Sequence, residues 1–405
     1  MLLYKEWLLR RLDSVLIGGI LLITGTSIGG AMLALPLATA SNSLPTAALS
    51  LLASWLIMTL GALFLLEVNL WCPSGSNLVS MAGKTLGKPG RVIAWVSYLF
   101  LLYTLLSAYI SGGSDVLQAM VHGFGLTLSS TASAFLWVLL LGVVVYRGVR
   151  LVDYTNRFLM FAKLGIFFLL VFVILPKVHV VNFIHPHSQF LGGAFMVLIT
   201  SFGFASIIPS LREYFNDDAP RLRRAVLIGS LIPLVCYLLW LLAIMGAVPQ
   251  DALYVLSLSE HATTGLSEAL GVSTHQPIIS SFFSSFSTVC MLTAFLGVSL
   301  GLFDFLADGL KLKKQGKDGV KVFLCTFLPP FLIVLFAPGV YLKALSYAGI
   351  LCVILLLLLP SIMVYRGRYH LGLSAGNWSV AGGKATLSFT TVVSIALIVV
   401  ALTHL

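Results

Sequence analysis

The residues best suited to bind a ligand are three glycines and a proline in one apolar segment, GTSIGGAMLALP, from Gly25 to Pro36. Each glycine inside a helix costs about 1 kcal/mol relative to alanine, so we expect this helix to unwind. An unwound turn exposes N–H groups at the start of one half-helix and carbonyl groups at the end of the other. The N–H end suits a carboxylate and the carbonyl end suits an ammonium or a cation. The segment therefore predicts a site for a zwitterionic amino acid.

A second apolar segment also contains a glycine followed by a proline. In ITSFGFASIIPSL, from Ile199 to Leu211, Gly203 is followed by Pro209. About five apolar segments separate the two breaks, so the two broken helices run in opposite directions. Such a pair is typical of secondary transporters built from inverted repeats, although Gly and Pro are also common in ordinary membrane helices. We expect the two breaks to face each other across one cavity.

The backbone at the two breaks provides the candidate substrate contacts. We expect the N–H groups of Gly29, Gly30 and Ala31 to bind a carboxylate, and the carbonyls around Thr26 and Thr200 to bind an ammonium. Nearby rings could line a pocket for an aromatic side chain, but with 11% aromatic residues a core or lipid-facing role stays open. The other candidates are Ser27 at the first break, Ser201, Phe202, Gly203 and Phe204 at the second, and Tyr103, Ser107 and Tyr109 in the third span.

Lys163 lies about nine residues inside the fifth apolar segment. An ionisable residue within a membrane span usually has a function, although its long side chain could also reach the interface. We expect its ammonium to occupy a cation position between the first break and hydroxyls of the eighth span, Thr293 or Ser299. Lys163 would then carry the coupling proton.

Other polar residues are candidates for gates or braces. Glu67, near the end of the second span, either braces the broken sixth helix or pairs with a loop cation. Asp304 lies at the end of the eighth span, and Tyr347 lies in the tenth. The five cysteines are scattered singly, which predicts neither a metal site nor a disulfide framework, and we expect no cofactor.

The composition places these residues in a membrane. Of the 405 residues, 59% are hydrophobic and 9% are charged, whereas a soluble protein has about 25% charged residues. We therefore predict an all-α integral membrane protein. The eleven candidate spans are 14–39, 44–70, 91–113, 129–146, 155–175, 189–211, 223–247, 279–307, 321–338, 343–365 and 384–404.

The basic residues predict the orientation. Of the 24 Lys and Arg residues, 21 lie at the N-terminus or in alternate loops, whereas the opposite loops hold only Lys177 and Lys343. The positive-inside rule puts the N-terminus in the cytoplasm and, for eleven spans, the C-terminus outside. The net charge of +10 is thus explained by topology and not by nucleic acid binding. The segment 247–279 has no Lys or Arg and is expected to form a small external cap.

Several motifs together resemble a known family, the bacterial hydroxy and aromatic amino acid permeases, and are most similar to its tyrosine-specific members. Two departures concern the site: Ala31 stands where the family usually has a second Gly of Gly-Ala-Gly, and Ala205 stands where some tyrosine permeases have His. The matching stretches are GTSIGGAMLALPLA, LFLLEVN (63–69), SAYISGG (107–113), NRFLMFAK (156–163), TSFGFASIIPS (200–210), LGVSLGLFDFLADG (296–309), FLPP (327–330) and SYAGI (346–350).

The resemblance implies a five-plus-five inverted repeat of the amino acid–polyamine–organocation transporter type. Residues 1–405 would form one transmembrane domain, with helices 1–5 in 13–175, helices 6–10 in 189–365 and an extra helix in 384–404. It implies proton-driven import of an aromatic amino acid, tyrosine first and tryptophan or phenylalanine next, across the bacterial inner membrane. A sodium symporter or an exchanger on the same scaffold stays open. An intramembrane enzyme or channel is the least favoured alternative, because the sequence has no HExxH motif.

Overall fold

The computed structural model describes residues 2–183, 192–374 and 378–404, and every regular element in these ranges is helical. The helices are α1 (Leu2–Ser27), α2 (Gly30–Ala38), α3 (Leu44–Leu70), α4 (Leu78–Gly123), α5 (Ser130–Tyr146), α6 (Val149–Ile174), α7 (Gly192–Ser201), α8 (Ile208–Tyr214), α9 (Ala219–Ala247), α10 (Gln250–Ser257), α11 (Ala262–Thr274), α12 (Pro277–Leu310), α13 (Gly316–Phe336), α14 (Tyr341–Val353), α15 (Leu359–Tyr369) and α16 (Gly383–His404). Short 3₁₀ turns lie at Leu175–Lys177, Val180–Phe183 and Gly203–Ile207, and a π turn at Ile354–Leu358 joins α14 to α15.

The helices have the length and composition of membrane spans. Within the described ranges, nine are long and apolar enough to cross a membrane, and the bent pair α1–α2 makes a tenth. Helix α5 is a shorter apolar helix of 17 residues. These lengths match the roughly 20 residues that a bilayer requires, and the chain is a multi-pass membrane protein.

The first predicted break is confirmed and is narrower than the sequence indicated. Helix α1 continues to Ser27 and α2 begins at Gly30, with a bend of 52° between them. Only Ile28 and Gly29 lie outside the two helices. The Ile28 N–H still bonds to the Thr24 carbonyl at 2.9 Å, so the α-helical pattern ends at Gly29.

The second break is also present, but it is a local tightening and not a sharp bend. Helix α7 ends at Ser201, Phe202 is non-helical, and a 3₁₀ turn from Gly203 to Ile207 leads into α8. Pro209 falls in the first turn of α8, where its missing N–H would have no partner in any case. The α-helical hydrogen-bond pattern is therefore interrupted in both predicted helices.

Prolines within the spans free carbonyl groups that neighbouring helices then bind. Pro329 has no N–H to donate to the Cys325 carbonyl one turn earlier, and the Tyr103 hydroxyl of α4 donates to that carbonyl at 2.7 Å. Pro233 likewise frees the Gly229 carbonyl, which lies 3.5 Å from the Thr24 hydroxyl of α1. Because water cannot reach these carbonyls in a bilayer, such bonds fix which helices lie side by side.

Close contacts between helices at glycine residues hold the second broken span in place. A Cβ at Gly349 of α14 would lie 2.2 Å from the Met196 carbonyl oxygen of α7. A Cβ at Gly61 of α3 would lie 2.3 Å from the Leu356 carbonyl oxygen in the π turn. Small residues at such points allow membrane helices to approach closely, so α7 and the tenth span pack backbone to backbone beside the second break.

The segment 247–279, expected to form a small cap, folds into two short helices. Helices α10 and α11 make a hairpin between the seventh and eighth spans, at the end of the bundle opposite most basic residues. The Gln250 side chain of α10 donates to the Asn42 carbonyl after α2, which fastens the hairpin to the end of the first broken span.

A double-mutant cycle can measure how much the hydrogen bond from Tyr103 to the Cys325 carbonyl contributes to stability. We expect Tyr103→Phe to lower stability by about 0.5–1.5 kcal/mol, the net contribution of a typical hydrogen bond. Pro329→Ala supplies an N–H for the Cys325 carbonyl, so Tyr103→Phe should cost much less in that background. Thermal unfolding of detergent-solubilised protein measures all four variants, and an equal cost in both backgrounds would show that Tyr103 does not serve this carbonyl.

Candidate functional site

The carbonyl end of the first break is bound by Lys163. Its side chain is 2% exposed, and its ammonium donates to the Ile28 carbonyl, the first beyond the end of α1. The end of a helix carries a partial negative charge, which makes this a favourable place for a buried cation. One turn earlier, Met160 packs so close to Gly25 that an added Cβ would lie 2.4 Å from its sulfur. Helix α6 thus contacts α1 directly beneath the break.

Tyr237 joins the two breaks. Its hydroxyl lies 2.6 Å from the Ser27 carbonyl oxygen and 3.0 Å from the Ser201 carbonyl oxygen. These carbonyls belong to the last residues of α1 and α7, so the two helix ends meet at one phenol on α9. The hydroxyl has one proton and can donate fully to only one of them. Where an open cavity between the breaks was expected, the part of the chain that the structure describes has the fully buried Tyr237.

Two further tyrosines enclose the start of α2. The Tyr341 hydroxyl of α14 donates to the Gly30 carbonyl at 2.6 Å. The ring of Tyr109 packs on the α-carbon of Gly30, where a Cβ would lie 2.6 Å from a ring carbon. Gly112, one turn above Tyr109 on α4, leaves room for both Met291 and Tyr341. Helices α4, α12 and α14 therefore meet the first break at Gly30.

The N–H end of the break has an unused binding capacity. The first N–H groups of a helix have no carbonyl four residues earlier in the same helix, and Gly29 at the N-cap provides no capping side chain. Gly29 is extended, with φ −150° and ψ −154°, a conformation that any residue adopts. A Cβ on Gly29 would meet only the Ala294 side chain, at 3.9 Å. The α-carbon of Gly29 is therefore much less crowded than that of Gly30.

The predicted residues of the second break lie close to this centre. Phe202 packs its ring edge against the ring of Tyr237, with centroids 5.3 Å apart, and both Phe202 and Phe204 are buried. The Thr200 hydroxyl donates to the Leu345 carbonyl of α14 at 2.9 Å. The hydroxyls of the other small residues bond within their own helices: Ser27 to Ile23, Ser107 to Tyr103, and Ser201 to Val197.

Other predicted residues lie away from the centre. Thr26 is exposed and bonds to the Leu22 carbonyl, Tyr103 faces α13, and Tyr347 is 45% exposed. The hydroxyls of Thr293 and Ser299 donate to carbonyls of their own helix, as Ser and Thr often do inside helices. Among the described residues, neither hydroxyl bonds to Lys163, so the expected bridge from Lys163 to the eighth span is not formed.

The predicted acidic residues pair with cations at the basic end. Glu67 accepts two bonds from Arg368, each 2.6 Å long, and one from the Val380 N–H at 2.8 Å. Asp304 lies 2.8 Å from the Lys314 ammonium. Of the two roles considered for Glu67, the structure shows pairing with a cation.

The second broken span is braced from the same region by Arg212 of α8. Its guanidinium donates to the Asn69 and Cys72 carbonyls at the end of α3, and it pairs with Asp217. Arg212 is one of the 21 basic residues that predict the orientation, and the sequence does not predict its contacts with α3.

The chain matches a known protein family over nearly its whole length. A model of the tryptophan/tyrosine permease family matches residues 13–401. The chain belongs to the tryptophan/tyrosine permease family. The resemblance predicted from the motifs is thus confirmed, and membership of a permease family makes the chain a transporter and not an enzyme.

This permease is similar to curated transport proteins over nearly its whole length. The tyrosine-specific transport system 2 of Haemophilus influenzae is 33% identical over 387 residues, 95% of each chain. Tyrosine-specific transport system 1 of the same organism is 34% identical over 385 residues, 94% of each chain. Its tryptophan-specific transport protein is 31% identical over 397 residues, 95% of this chain and 94% of the relative.

Sequence reasoning missed Tyr237 and Tyr341, the two residues whose hydroxyls bind carbonyls at the breaks of this permease. Both lie in apolar helices, and a buried tyrosine hydroxyl usually has a hydrogen-bond partner. That rule could have marked them as partners of an exposed backbone. The same rule does not distinguish them from Tyr103, whose hydroxyl binds the Cys325 carbonyl that Pro329 leaves without a partner.

The two glycines of the first break should respond differently to alanine. We expect Gly30→Ala to lower thermal stability, because overpacking against Tyr109 costs about 1–3 kcal/mol. Gly29→Ala is the matched control, because its Cβ fits at ordinary contact distance and its backbone is unstrained. The midpoint temperature of solubilised protein measures both variants. Equal losses, or no loss for Gly30→Ala, would contradict the described packing.

Proposed function

We propose that this permease imports aromatic amino acids, with tyrosine preferred over tryptophan and phenylalanine. The observation that carries the proposal is the first break, where uncapped N–H groups at Gly29 to Ala31 lie beside the carbonyl ends of α1 and α7. The substrate carboxylate binds the N–H end and its ammonium binds the carbonyls of Ser27 and Ser201. The ammonium replaces the Tyr237 hydroxyl as the hydrogen-bond donor to these carbonyls. It has three donor hydrogens, whereas the hydroxyl has one.

The ring preference is supported by the surroundings and by the relatives. Tyr109, Phe202 and Phe204 are buried around the two breaks, and such side chains favour edge-to-face contact with a substrate ring. The similar proteins of Haemophilus influenzae are named as tyrosine-specific and tryptophan-specific. Tyrosine is placed first because the two tyrosine-specific relatives are slightly more similar.

The architecture we propose for this function has eleven spans in two inverted sets of five. The first set ends with α6, the second runs from α7 to α15, and α16 is the extra span. The basic end lies in the cytoplasm, with the N-terminus inside, the C-terminus outside and the spans in the lipid of the bacterial inner membrane. The charge bias of the loops supports this orientation.

Protons drive the import through Lys163. As an ammonium it holds the Ile28 carbonyl and fastens α6 to the first break. Loss of the proton toward the cytoplasm weakens that bond, because a neutral amine is a poorer donor than an ammonium. The first broken span is then free to move and open the site to the basic end. Among the described residues no carboxylate pairs with Lys163, so its main partner is the break itself.

Substrate choice is tested by uptake of labelled tyrosine into proteoliposomes. We expect unlabelled tyrosine to compete best, tryptophan and phenylalanine next, and alanine not at all, because alanine leaves the contacts with Phe202 and Tyr109 unmade. Liposomes without protein are the control. Transport restricted to small aliphatic amino acids would overturn the proposal.

Coupling is tested by Lys163→Gln, which keeps the length of the side chain but removes its proton exchange. We expect accumulation driven by an imposed pH gradient to be lost while tyrosine counterflow persists. Lys177→Gln, in the 3₁₀ turn just beyond α6, is the matched control and should behave as wild type. Undiminished proton-driven accumulation by Lys163→Gln would refute the role of Lys163. A strict need for sodium in the unmutated protein would show sodium symport instead.

A further inference from the structure

A polar pocket opens at the end of the bundle opposite the basic loops, outside the site described above. The pocket is partly open to solvent. Its walls come from the upper part of α4, the start of α5, the end of α13 and the tip of the α10–α11 hairpin. The chemistry is carried by Asp115, Glu260 and His261, by hydroxyls such as that of Ser114, and by an apolar wall that includes Phe331 and Val334.

The charge of this pocket is unusual for the chain. The protein has a net charge of +10, yet none of the described side chains that line the pocket is Lys or Arg, and two are carboxylates. Carboxylates and hydroxyls attract an ammonium, and Phe331 offers contact to a ring. The lining therefore suits a molecule with an ammonium at one end and an apolar or aromatic group at the other.

Asp115 is the buried member of an aspartate–histidine pair in the pocket lining. Its side chain is 9% exposed, and its Oδ1 lies 3.0 Å from Nδ1 of His261, whose side chain is 49% exposed. His261 belongs to the tip of the hairpin, between α10 and α11. Gly339, at φ 69°, allows the α13–α14 connection to pack against the Glu260 backbone of the same tip. The tip thus contacts two walls of the pocket at once.

The pocket lies directly above the first break. Tyr109 is six residues before Asp115 on α4, which is about 9 Å along a helix. Tyr109 and Tyr341 form the layer in between, because both contact Gly30 while Gly112 lies against Tyr341. A molecule in the pocket is separated from the break by this layer of rings.

We propose that the pocket is an outer acceptance site for the ammonium end of an aromatic amine, the incoming amino acid included. The ammonium takes the place of His261 on Asp115, and the hairpin tip is released as it does so. The ammonium also donates a hydrogen bond to the Ser114 hydroxyl oxygen, and packing on Phe331 completes the site. This inference rests on the proposed function, since it supplies the entrance through which the same substrate reaches the breaks.

If His261 and the ammonium compete for Asp115, substitution of Asp115 and substitution of His261 should change the binding of an aromatic amine in opposite directions. Tyramine, an aromatic amine without a carboxylate, is the probe, added outside cells that take up labelled tyrosine. We expect Asp115→Asn to weaken inhibition by tyramine about tenfold or more, because the bond to a charged acceptor is lost. His261→Ala removes the competitor and strengthens inhibition severalfold. Asp251→Asn, on the same hairpin but outside the pocket, is the control and leaves inhibition unchanged.

The outcomes separate this inference from the proposed function. A purely structural contact would make both substitutions act in the same direction, and that result, or unchanged inhibition in Asp115→Asn, overturns the outer site. If the unmutated protein takes up no aromatic amino acid, the proposed function fails. Direct binding of tyramine to purified protein, measured by calorimetry on the same variants, then decides the outer site alone. His261 is on the surface, so its variant folds even if Asp115→Asn does not.

Discussion

A peptide group in the interior of this protein needs a hydrogen-bond partner, because no water is present there to provide one. The first break exposes such groups inside the bundle, and an unpaired one costs about 1–3 kcal/mol. The carbonyls of Ser27, Ile28 and Gly30 are bound by Tyr237, Lys163 and Tyr341, respectively. These side chains come from α9, α6 and α14. One two-residue interruption therefore fixes how three other helices are placed, and α1 can move only if these partners are exchanged.

The two ends of the bundle differ in how they are held. At the basic end, Arg212 joins α8 to the end of α3. Arg368 joins α15 to Glu67, which also belongs to α3. At the other end a polar pocket is open above the layer of Tyr109 and Tyr341. Charged contacts to backbone carbonyls and to a carboxylate thus hold helices together at the basic end. Any movement of α8, the continuation of the second broken span, away from α3 must break the bonds of Arg212.

The sequence predicted most of the architecture and part of the site. The glycines of Gly25–Pro36 and Gly203 indicated where two helices are interrupted, and the long apolar segments indicated the spans. The first break is shorter than the three glycines indicated: Gly25 stays helical, with Met160 packed on it, and only Ile28 and Gly29 leave the helices. Tyr103 was expected near the substrate, but the pair Pro329-Pro330 on another helix determines its bond. Such pairings join residues more than 200 positions apart, and no local pattern shows them.

Amide hydrogen exchange at the first break is the experiment that decides whether the broken helix binds the substrate. Protein in nanodiscs would be compared with and without tyrosine, and peptides covering residues 28–32 and 200–206 would be followed. The account predicts slower exchange at Gly29, Gly30 and Ala31 when tyrosine is present, because its carboxylate accepts from those N–H groups. Alanine should give no such protection at the same concentration. Unchanged exchange at these three amides, in protein that transports tyrosine, would contradict the account and place the carboxylate elsewhere.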